Sequence, residues 1–290
     1  MKLLLLRIVR KLNFLFSDRI YLKICYYLEM GKRLDLNNPK TMNEKLQWLK
    51  LYNRKPEYTT MVDKLLVKDY IGRIIGEDYI VPLLGVWDSP EHIDFDALPN
   101  QFVLKTNHSG GNTGVVIVKD KSKIDQKIIR EKLHISLKSD IYARYREWPY
   151  KNVERKVFAE AYLGDDLADY KFYCYNGYAD AVMICIDRQI GDPKFYFFDK
   201  DWNLKRYNKR GKEAPADFTL PMPDGVDEMF ELASNLSKNI PYARVDFYNV
   251  NGKIYFGEIT FFPASGFDKN RLSESDLLFG EMIDLSIVQF

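Results

Sequence analysis

Arg244-Val245-Asp246-Phe247-Tyr248, a short turn, then Phe256-Gly257-Glu258-Ile259-Thr260-Phe261-Phe262-Pro263-Ala264-Ser265-Gly266: this stretch sets one arginine and two carboxylates on what reads as a β-hairpin. Strand side chains alternate between faces. Arg244, Asp246 and Tyr248 therefore share one face, and Val245 and Phe247 the other. On the second strand Ile254, Phe256, Glu258 and Thr260 share a face. Whether Asp246 and Glu258 meet depends on the turn. A two-residue Asn251-Gly252 turn pairs Val250 with Lys253 and puts the two carboxylates on opposite faces. A three-residue loop, Val250-Asn251-Gly252, has Gly252 left-handed and a bulge. It pairs Asn249 with Lys253, sets Arg244 opposite Glu258, and leaves Asp246 one diagonal step away, within roughly 5–8 Å. The three-residue loop is the expectation, because carboxylates so placed can share a metal. The plainer reading is a surface hairpin with an Arg244–Glu258 salt bridge. The aromatic setting of Phe247, Tyr248, Tyr255, Phe256, Phe261 and Phe262 argues for burial instead, and buried charges must be paired or metal-bound.

A second chemical stretch lies upstream. Phe102-Val103-Leu104-Lys105-Thr106-Asn107-His108 runs as a lysine-bearing strand into Ser109-Gly110-Gly111-Asn112-Thr113-Gly114. Glycines let backbone N–H groups approach phosphate oxygens, and Lys105 would bring an ammonium near them. The loop lacks the lysine-serine ending of a Walker A sequence and is flanked by two strands. A flexible hairpin loop explains the glycines about as well. Further on, Phe158-Ala159-Glu160-Ala161-Tyr162-Leu163-Gly164-Asp165-Asp166 is a strand leading into an acidic loop. It reads either as a hinge for adenine and ribose or as a solvated turn. Lys171 sits on an otherwise aromatic strand, where a lysine is expected to face an anion.

The 290 residues suffice for one large domain or two small ones. A net charge of +2 and a pI near 8.2 do not announce a nucleic-acid partner. Three cysteines with no C-x-x-C spacing speak against a disulfide framework and fit a reducing cytoplasm. With three histidines, a His/Cys zinc site has weak support. No Ser-His-Asp or Cys-His arrangement stands out. Residues 1–16 begin with Met1-Lys2-Leu3-Leu4-Leu5-Leu6-Arg7-Ile8-Val9-Arg10-Lys11. The apolar run is too short and too charged for a signal peptide, and no stretch reaches the roughly 20 apolar residues of a span. Two readings stay open: an amphipathic helix packed on the domain, or a basic helix in peripheral contact with the inner membrane.

Residues 1–75 read as helical, with Thr41 and Glu44 at capping-box spacing and a helix from Asp63 stopping at Gly72. Strands follow at 80–87, 102–105, 115–118, 156–160, 171–175, 181–186 and 194–198. Helices are expected at 122–138, 229–240 and beyond Ser273. Hairpins with intervening helices indicate an α+β fold. Expected boundaries are 1–75 for a helical N-terminal region, 76–158 for a first subdomain with the glycine-rich loop, and 159–290 for a second with the charged hairpin.

The order of these elements resembles the ATP-grasp superfamily, and more narrowly the TupA-like ATP-grasp proteins, found with bacterial surface-polysaccharide genes. The carriers are Asn43-Glu44-Lys45-Leu46-Gln47-Trp48, Asp63-Lys64, Phe102 to Asn107 with its glycine loop, Tyr170-Lys171-Phe172, and Arg244 to Phe247 with Glu258 to Gly266. The resemblance implies two α+β subdomains that grip ATP. It implies that Lys105 contacts the phosphates and that Ser109, Gly110, Gly111 and Asn112 close over them. Glu160 to Leu163 would frame adenine, and Asp165 or Asp166 would hold ribose. Asp246, Glu258 and Thr260 would bind Mg²⁺, and Arg244 and Lys171 would face the γ-phosphate or an acyl phosphate. The implied activity is ATP-dependent ligation of a carboxylate to an amine in capsular or exopolysaccharide synthesis. The substrates would be an amino acid and a uronic acid, the latter small or lipid-linked. The chain departs at Thr260, where many relatives carry asparagine. A hydroxyl is a poorer ligand than an amide carbonyl, which weakens the case for a second metal. The rival is a glycosyltransferase of the same pathway, for which Asp94-Phe95-Asp96 and Asp199-Lys200-Asp201 match a D-x-D pattern in letters.

Overall fold

The computed structural model describes residues 1–111, 113–165, 167–187 and 191–288. In chain order the helical start comprises α1 (Lys2–Lys11), α2 (Asp18–Met30), α3 (Met42–Tyr52), α4 (Glu57–Val62) and α5 (Val67–Ile74). Then come β1 (Leu83–Trp87), β2 (Phe102–Thr106), β3 (Val115–Val118), α6 (Gln126–Leu137), α7 (Ile141–Tyr145) and β4 (Val157–Ala161). The rest is β5 (Ala168–Tyr175), β6 (Tyr178–Ile186), β7 (Lys194–Phe198), β8 (Leu204–Lys205), α8 (Lys209–Glu213), α9 (Val226–Leu236), β9 (Ala243–Val250), β10 (Lys253–Thr260) and α10 (Ser273–Met282). Helices with antiparallel sheets make the fold α+β.

Two compact units emerge. The larger takes residues 1–54, 143–148 and 168–290; the smaller takes 55–142 and 149–167. The division differs from expected boundaries at 75 and 158. It splits the helical start after Arg54 and returns a short segment around Arg146 to the larger unit.

In the smaller unit a four-stranded sheet has the order β1-β4-β2-β3, and its registers are antiparallel. Period-two alternation sends Phe102 and Leu104 with Val157 and Ala159 to one face, where Ile129 and Leu133 of α6 cover them. Asp125 caps α6 through the N–H groups of Lys127 and Ile128. The opposite face carries Lys105 and Glu160. The expected helix from Asp63 starts later and runs past Gly72. Asp63 Oδ1 accepts the N–H groups of Leu65 and Leu66 at 2.8 and 3.3 Å. That local bond makes a turn, and α5 begins only at Val67.

In the larger unit a six-stranded antiparallel sheet has the order β10-β9-β5-β6-β7-β8. One face buries Phe172, Val245 and Phe247 beneath α9, with Phe230 edge-on to Phe172 at 4.9 Å between ring centres. On the other face Tyr173 packs against Phe279 of α10. The capping box at α3 is complete. Thr41 Oγ1 accepts from Glu44 N, and Glu44 Oε2 accepts from Thr41 N.

Candidate active site

The hairpin turn is Asn251-Gly252, with φ of 52° and 84°, and Val250 pairs with Lys253. The expected three-residue loop is therefore incorrect. Both central residues are left-handed, as a two-residue turn with the twist of its strands requires. That register by itself would separate the two carboxylates. It is rescued one turn of pleat away from the loop. Phe256 pairs with Phe247 but Glu258 with Asp246, so Gly257 is an extra residue, a β-bulge. A Cβ on Gly257 would lie 3.0 Å from the Asp246 carbonyl oxygen, so the close approach favours glycine. The bulge returns Glu258 to the face of Asp246, and Thr260 comes opposite Arg244. The expected Arg244–Glu258 pairing shifts by two residues, and Asp246 and Glu258 become direct cross-strand partners.

On the other side of β9, Lys171 of β5 stands opposite Asp246. Lys171 Nζ donates to Asp246 Oδ2 at 2.6 Å and lies 2.6 Å from Asp169 Oδ2. Arg244 Nε donates to Asp246 Oδ1 at 2.7 Å, and its Nη2 reaches Asp246 Oδ2, Glu258 Oε1 and Thr260 Oγ1 at 2.8, 3.0 and 3.1 Å. Thr260 Oγ1 also donates to Glu258 Oε1 at 3.1 Å. Asp246 is 2% exposed, so these charges are compensated by one another rather than by water. Burial alone would lower the Lys171 ammonium, but Asp246 and Asp169 raise it above its ordinary value. Burial also opposes the Arg244 charge, and Asp246 outweighs it, holding the guanidinium well above its ordinary range. Burial pushes the Asp246 carboxyl up, against the downward pull of Arg244 and Lys171. Asp169, Asp246 and Glu258 thus gather around Lys171 and Arg244.

The hairpin runs into Pro263–Gly266, where Ala264 and Ser265 are both left-handed, at φ of 49° and 53°. Two such non-glycine residues cost on the order of 1–3 kcal/mol each. They are held from α3. Gln47 Nε2 donates to the carbonyls of Ser265 and Gly266 at 3.1 and 2.8 Å, and Lys50 Nζ to that of Ser265 at 2.8 Å. Ser265 Oγ donates to Glu147 Oε1 at 2.6 Å. Lys50 is fully buried, and burial pushes it down to about 8 against the opposing charge of Glu147. Asn43, one turn before Gln47, exchanges hydrogen bonds with the backbone of Asp268. A helix face at i, i+4 and i+7 is thus polar and buried.

In the smaller unit Lys105 and Lys68 both grip Glu160, at 2.6 and 2.5 Å. Burial would raise the Glu160 carboxyl, but the two lysines hold it below its ordinary value. Here two cations meet one carboxylate. The Glu160 side chain is therefore committed to the lysines, and Leu163 is half-buried beyond the strand end. The glycine loop is anchored at its root. Asn107 Nδ2 donates to Asp63 Oδ2 at 2.9 Å, and Lys64 Nζ to the Ser109 carbonyl at 2.6 Å. Ser109 is buried and its hydroxyl donates to the Thr106 carbonyl, while Gly110 and Gly111 are exposed. Asp165 is exposed, receives a hydrogen bond from the Tyr162 hydroxyl and pairs with Lys119. Asn112 and Asp166 lie outside the described residues.

The D-x-D stretches are turns. Asp94 Oδ1 accepts the N–H groups of Asp96 and Ala97, and Asp199 Oδ1 that of Asn203 in the β7–β8 hairpin. Sequence reasoning missed Lys68, Asp169, Lys50 and Glu147 as members of charged clusters. For Asp169 the signal was available, because it lies two residues from Lys171 on the same strand face.

A sequence model of the family described as TupA-like ATPgrasp matches residues 44–284. No curated protein matches the chain. Among solved structures it is similar to D-alanine–D-alanine ligase from Bacillus anthracis at 18% identity over 79% of this chain and 66% of that one, with a TM-score of 0.45. It is similar to the ATP-grasp ligase PsnB, complexed with a phosphomimetic variant of its minimal precursor, Mg and ADP, at 11% identity over 97% and 74%, TM-score 0.45. For N5-carboxyaminoimidazole synthetase from Staphylococcus aureus with ADP the figures are 16%, 81%, 60% and 0.44. The chain thus spans slightly less than two-thirds of the Bacillus anthracis ligase.

Proposed function

The chain belongs to the TupA-like ATP-grasp family, and from that premise we propose that it is an ATP- and Mg²⁺-dependent ligase joining a carboxylate to an amine through an acyl phosphate. Its setting in this reading is bacterial capsular or exopolysaccharide synthesis in the cytoplasm. Its substrates are an amino acid and a uronic acid, free or lipid-linked. The observation that carries the reading is the bulge that sets Asp246 directly opposite Glu258 with Arg244 and Lys171 against them.

The donor set fits the metal. Mg²⁺ takes hard oxygen ligands and typically uses one or two carboxylates, with substrate phosphates completing its shell. Asp246 and Glu258 are two carboxylates on neighbouring strands, with the Thr260 hydroxyl beside them. Among the described residues no group of three His, Cys, Asp or Glu side chains is arranged to hold a metal. When bound there, Mg²⁺ would neutralise phosphate charge.

The residues then divide the work. Lys105, with the backbone of Ser109 to Gly111 and with Asn112, holds the phosphates. Glu160 holds Lys105 and Lys68 in place, the backbone up to Leu163 frames adenine, and Asp165 or Asp166 holds ribose. Arg244 and Lys171 stabilise charge as the substrate carboxylate takes the γ-phosphoryl group and as the amine displaces phosphate from the acyl phosphate. No protein nucleophile is required. The test is Mg²⁺-dependent ADP release with uronic acids and amino acids offered in pairs. The expected result is release that needs both partners. Turnover of nucleotide sugars without ATP would overturn the reading in favour of a glycosyltransferase.

A further inference from the structure

The helix α1 has two apolar faces, and the fold uses one of them. Leu6 is buried against Tyr21 and Cys25 of α2, with Val9 beside it. The opposite stripe, Met1, Leu4, Leu5, Ile8 and Leu12, follows the i, i+3, i+4, i+7 spacing of one helix face. Its members are 38–99% exposed. Phe14 and Leu15 continue the surface in the next turn, 73% and 64% exposed. Of 22 exposed large hydrophobic residues among those described, nine fall in the first 20 positions. Scattered exposed leucines need no explanation, but a contiguous stripe does.

Its charge indicates what covers it. Residues 1–17 contain four basic side chains and no acidic one. Arg10 is engaged with Glu29, and Lys2 lies over the Tyr27 ring, while Arg7 and Lys11 are exposed along the edge of the apolar stripe. The first carboxylates beyond, Asp18 and Glu29, are already paired with Arg54, Arg146, Arg10 and Lys269. A second copy meeting this face about a two-fold axis would therefore bring like charges together with little to answer them. An anionic lipid surface answers both features, because it takes the apolar stripe into the acyl boundary and the arginine and lysine at its headgroups. No described helix is long and apolar enough to cross a membrane, so the contact is lateral.

We infer that α1 and the Asn13–Leu15 turn form a docking surface for an anionic lipid bilayer. The inference stands apart from the ligase reading, since it uses no residue of the charged clusters. The experiment is flotation of the full chain with phosphatidylcholine vesicles, with and without phosphatidylglycerol. Binding is expected only with phosphatidylglycerol, and it weakens with added salt. Arg7→Gln and Lys11→Gln each lower partitioning about five-fold, and Leu4→Glu with Ile8→Glu lowers it by more than about ten-fold. These positions are exposed, so unchanged melting curves confirm that the variants are folded. Failure to float with anionic vesicles would overturn the inference. So would equal binding to neutral vesicles, or indifference to Leu4→Glu/Ile8→Glu. Concentration-dependent self-association abolished by the same pair, without vesicle binding, would assign the face to a second copy instead. ADP release by the Leu4→Glu/Ile8→Glu variant on soluble substrates is expected to match the parent, which keeps this result separate from the test of the ligase.

Discussion

Two charged clusters, one on each unit's sheet, are built from the same side-chain types in reversed roles: carboxylates gather around cations in one, and lysines around a carboxylate in the other. In the larger unit Asp169, Asp246 and Glu258 surround Lys171 and Arg244. In the smaller unit Lys68 and Lys105 share Glu160. Each centres on a buried carboxylate, Asp246 in the first and Glu160 in the second. In the proposed function the first would take the metal cation and the second the phosphates.

The largest effect that could break this contrast comes from neutralising a carboxylate of the larger unit's cluster. Glu258→Gln and Asp246→Asn are each expected to lower Mg²⁺-dependent ADP release by at least about 10²–10³-fold. Asp246→Asn also leaves Arg244 and Lys171 under-compensated and should lose about 3–5 kcal/mol in denaturant unfolding. Full activity in either variant would remove the metal assignment.

Glu160→Gln sharpens the contrast from the other side. It leaves two half-buried ammonium groups without their shared carboxylate and should lose about 1–3 kcal/mol of stability. It removes the negative charge beside the two lysines, however, so nucleotide affinity measured by calorimetry should hold. A large loss of affinity in a variant still folded would mean that Glu160 touches the nucleotide itself.

A smaller effect tests how the negative cluster is assembled. Gly257→Ala places a methyl 3.0 Å from the Asp246 carbonyl. The strand must shift, at about 1–3 kcal/mol, and the Asp246–Glu258 alignment shifts with it. Melting and Mg²⁺ dependence should therefore decline together. Unchanged Mg²⁺ dependence at lowered stability would show that the bulge serves packing alone.

The smallest expected effect is a pH dependence at the root of the glycine loop. Burial, then the nearby Arg155, pushes the His108 imidazole down to about 4. Between its ordinary value near 6.5 and about 4, the unfolded chain binds a proton that the folded chain does not. Stability contributed by neutral His108 is present above that window and is lost as pH falls through it. His108→Gln should flatten the acid limb of the melting profile. An unaltered limb would place the titration elsewhere.

The residue types at both clusters were legible, because a lysine among aromatic strand residues and paired carboxylates on a hairpin are conspicuous. Their alignment was misread. A three-residue loop is not what brings Asp246 and Glu258 to one face; a two-residue turn and a bulge do so. Gly257 was the available sign, since a glycine inside a strand often marks a bulge. Lys68 meets Glu160 across 92 positions of sequence, a contact that no local pattern carries. Asn43, Gln47 and Lys50 were hidden differently. Polar residues at helical spacing read as a solvated face, yet here they are buried and hold the left-handed turn at Ala264 and Ser265. Helix and strand existence follows from period, and the start of α3 from its Thr41 cap, whereas α6 starts behind Asp125, later than the expected 122.

The most direct test of the opposed clusters is the melting temperature of the parent and of Glu258→Gln with a non-hydrolysable ATP analogue, with and without Mg²⁺, beside a panel of nucleotide sugars. Ligand at about a hundred times its dissociation constant adds about 2.7 kcal/mol, which is a shift of several degrees. The account predicts that the parent shifts with the ATP analogue, more so with Mg²⁺, and that Glu258→Gln loses the Mg²⁺ increment while keeping the rest. A parent that shifts only with nucleotide sugars, or a Glu258→Gln variant with an undiminished Mg²⁺ increment, would contradict it.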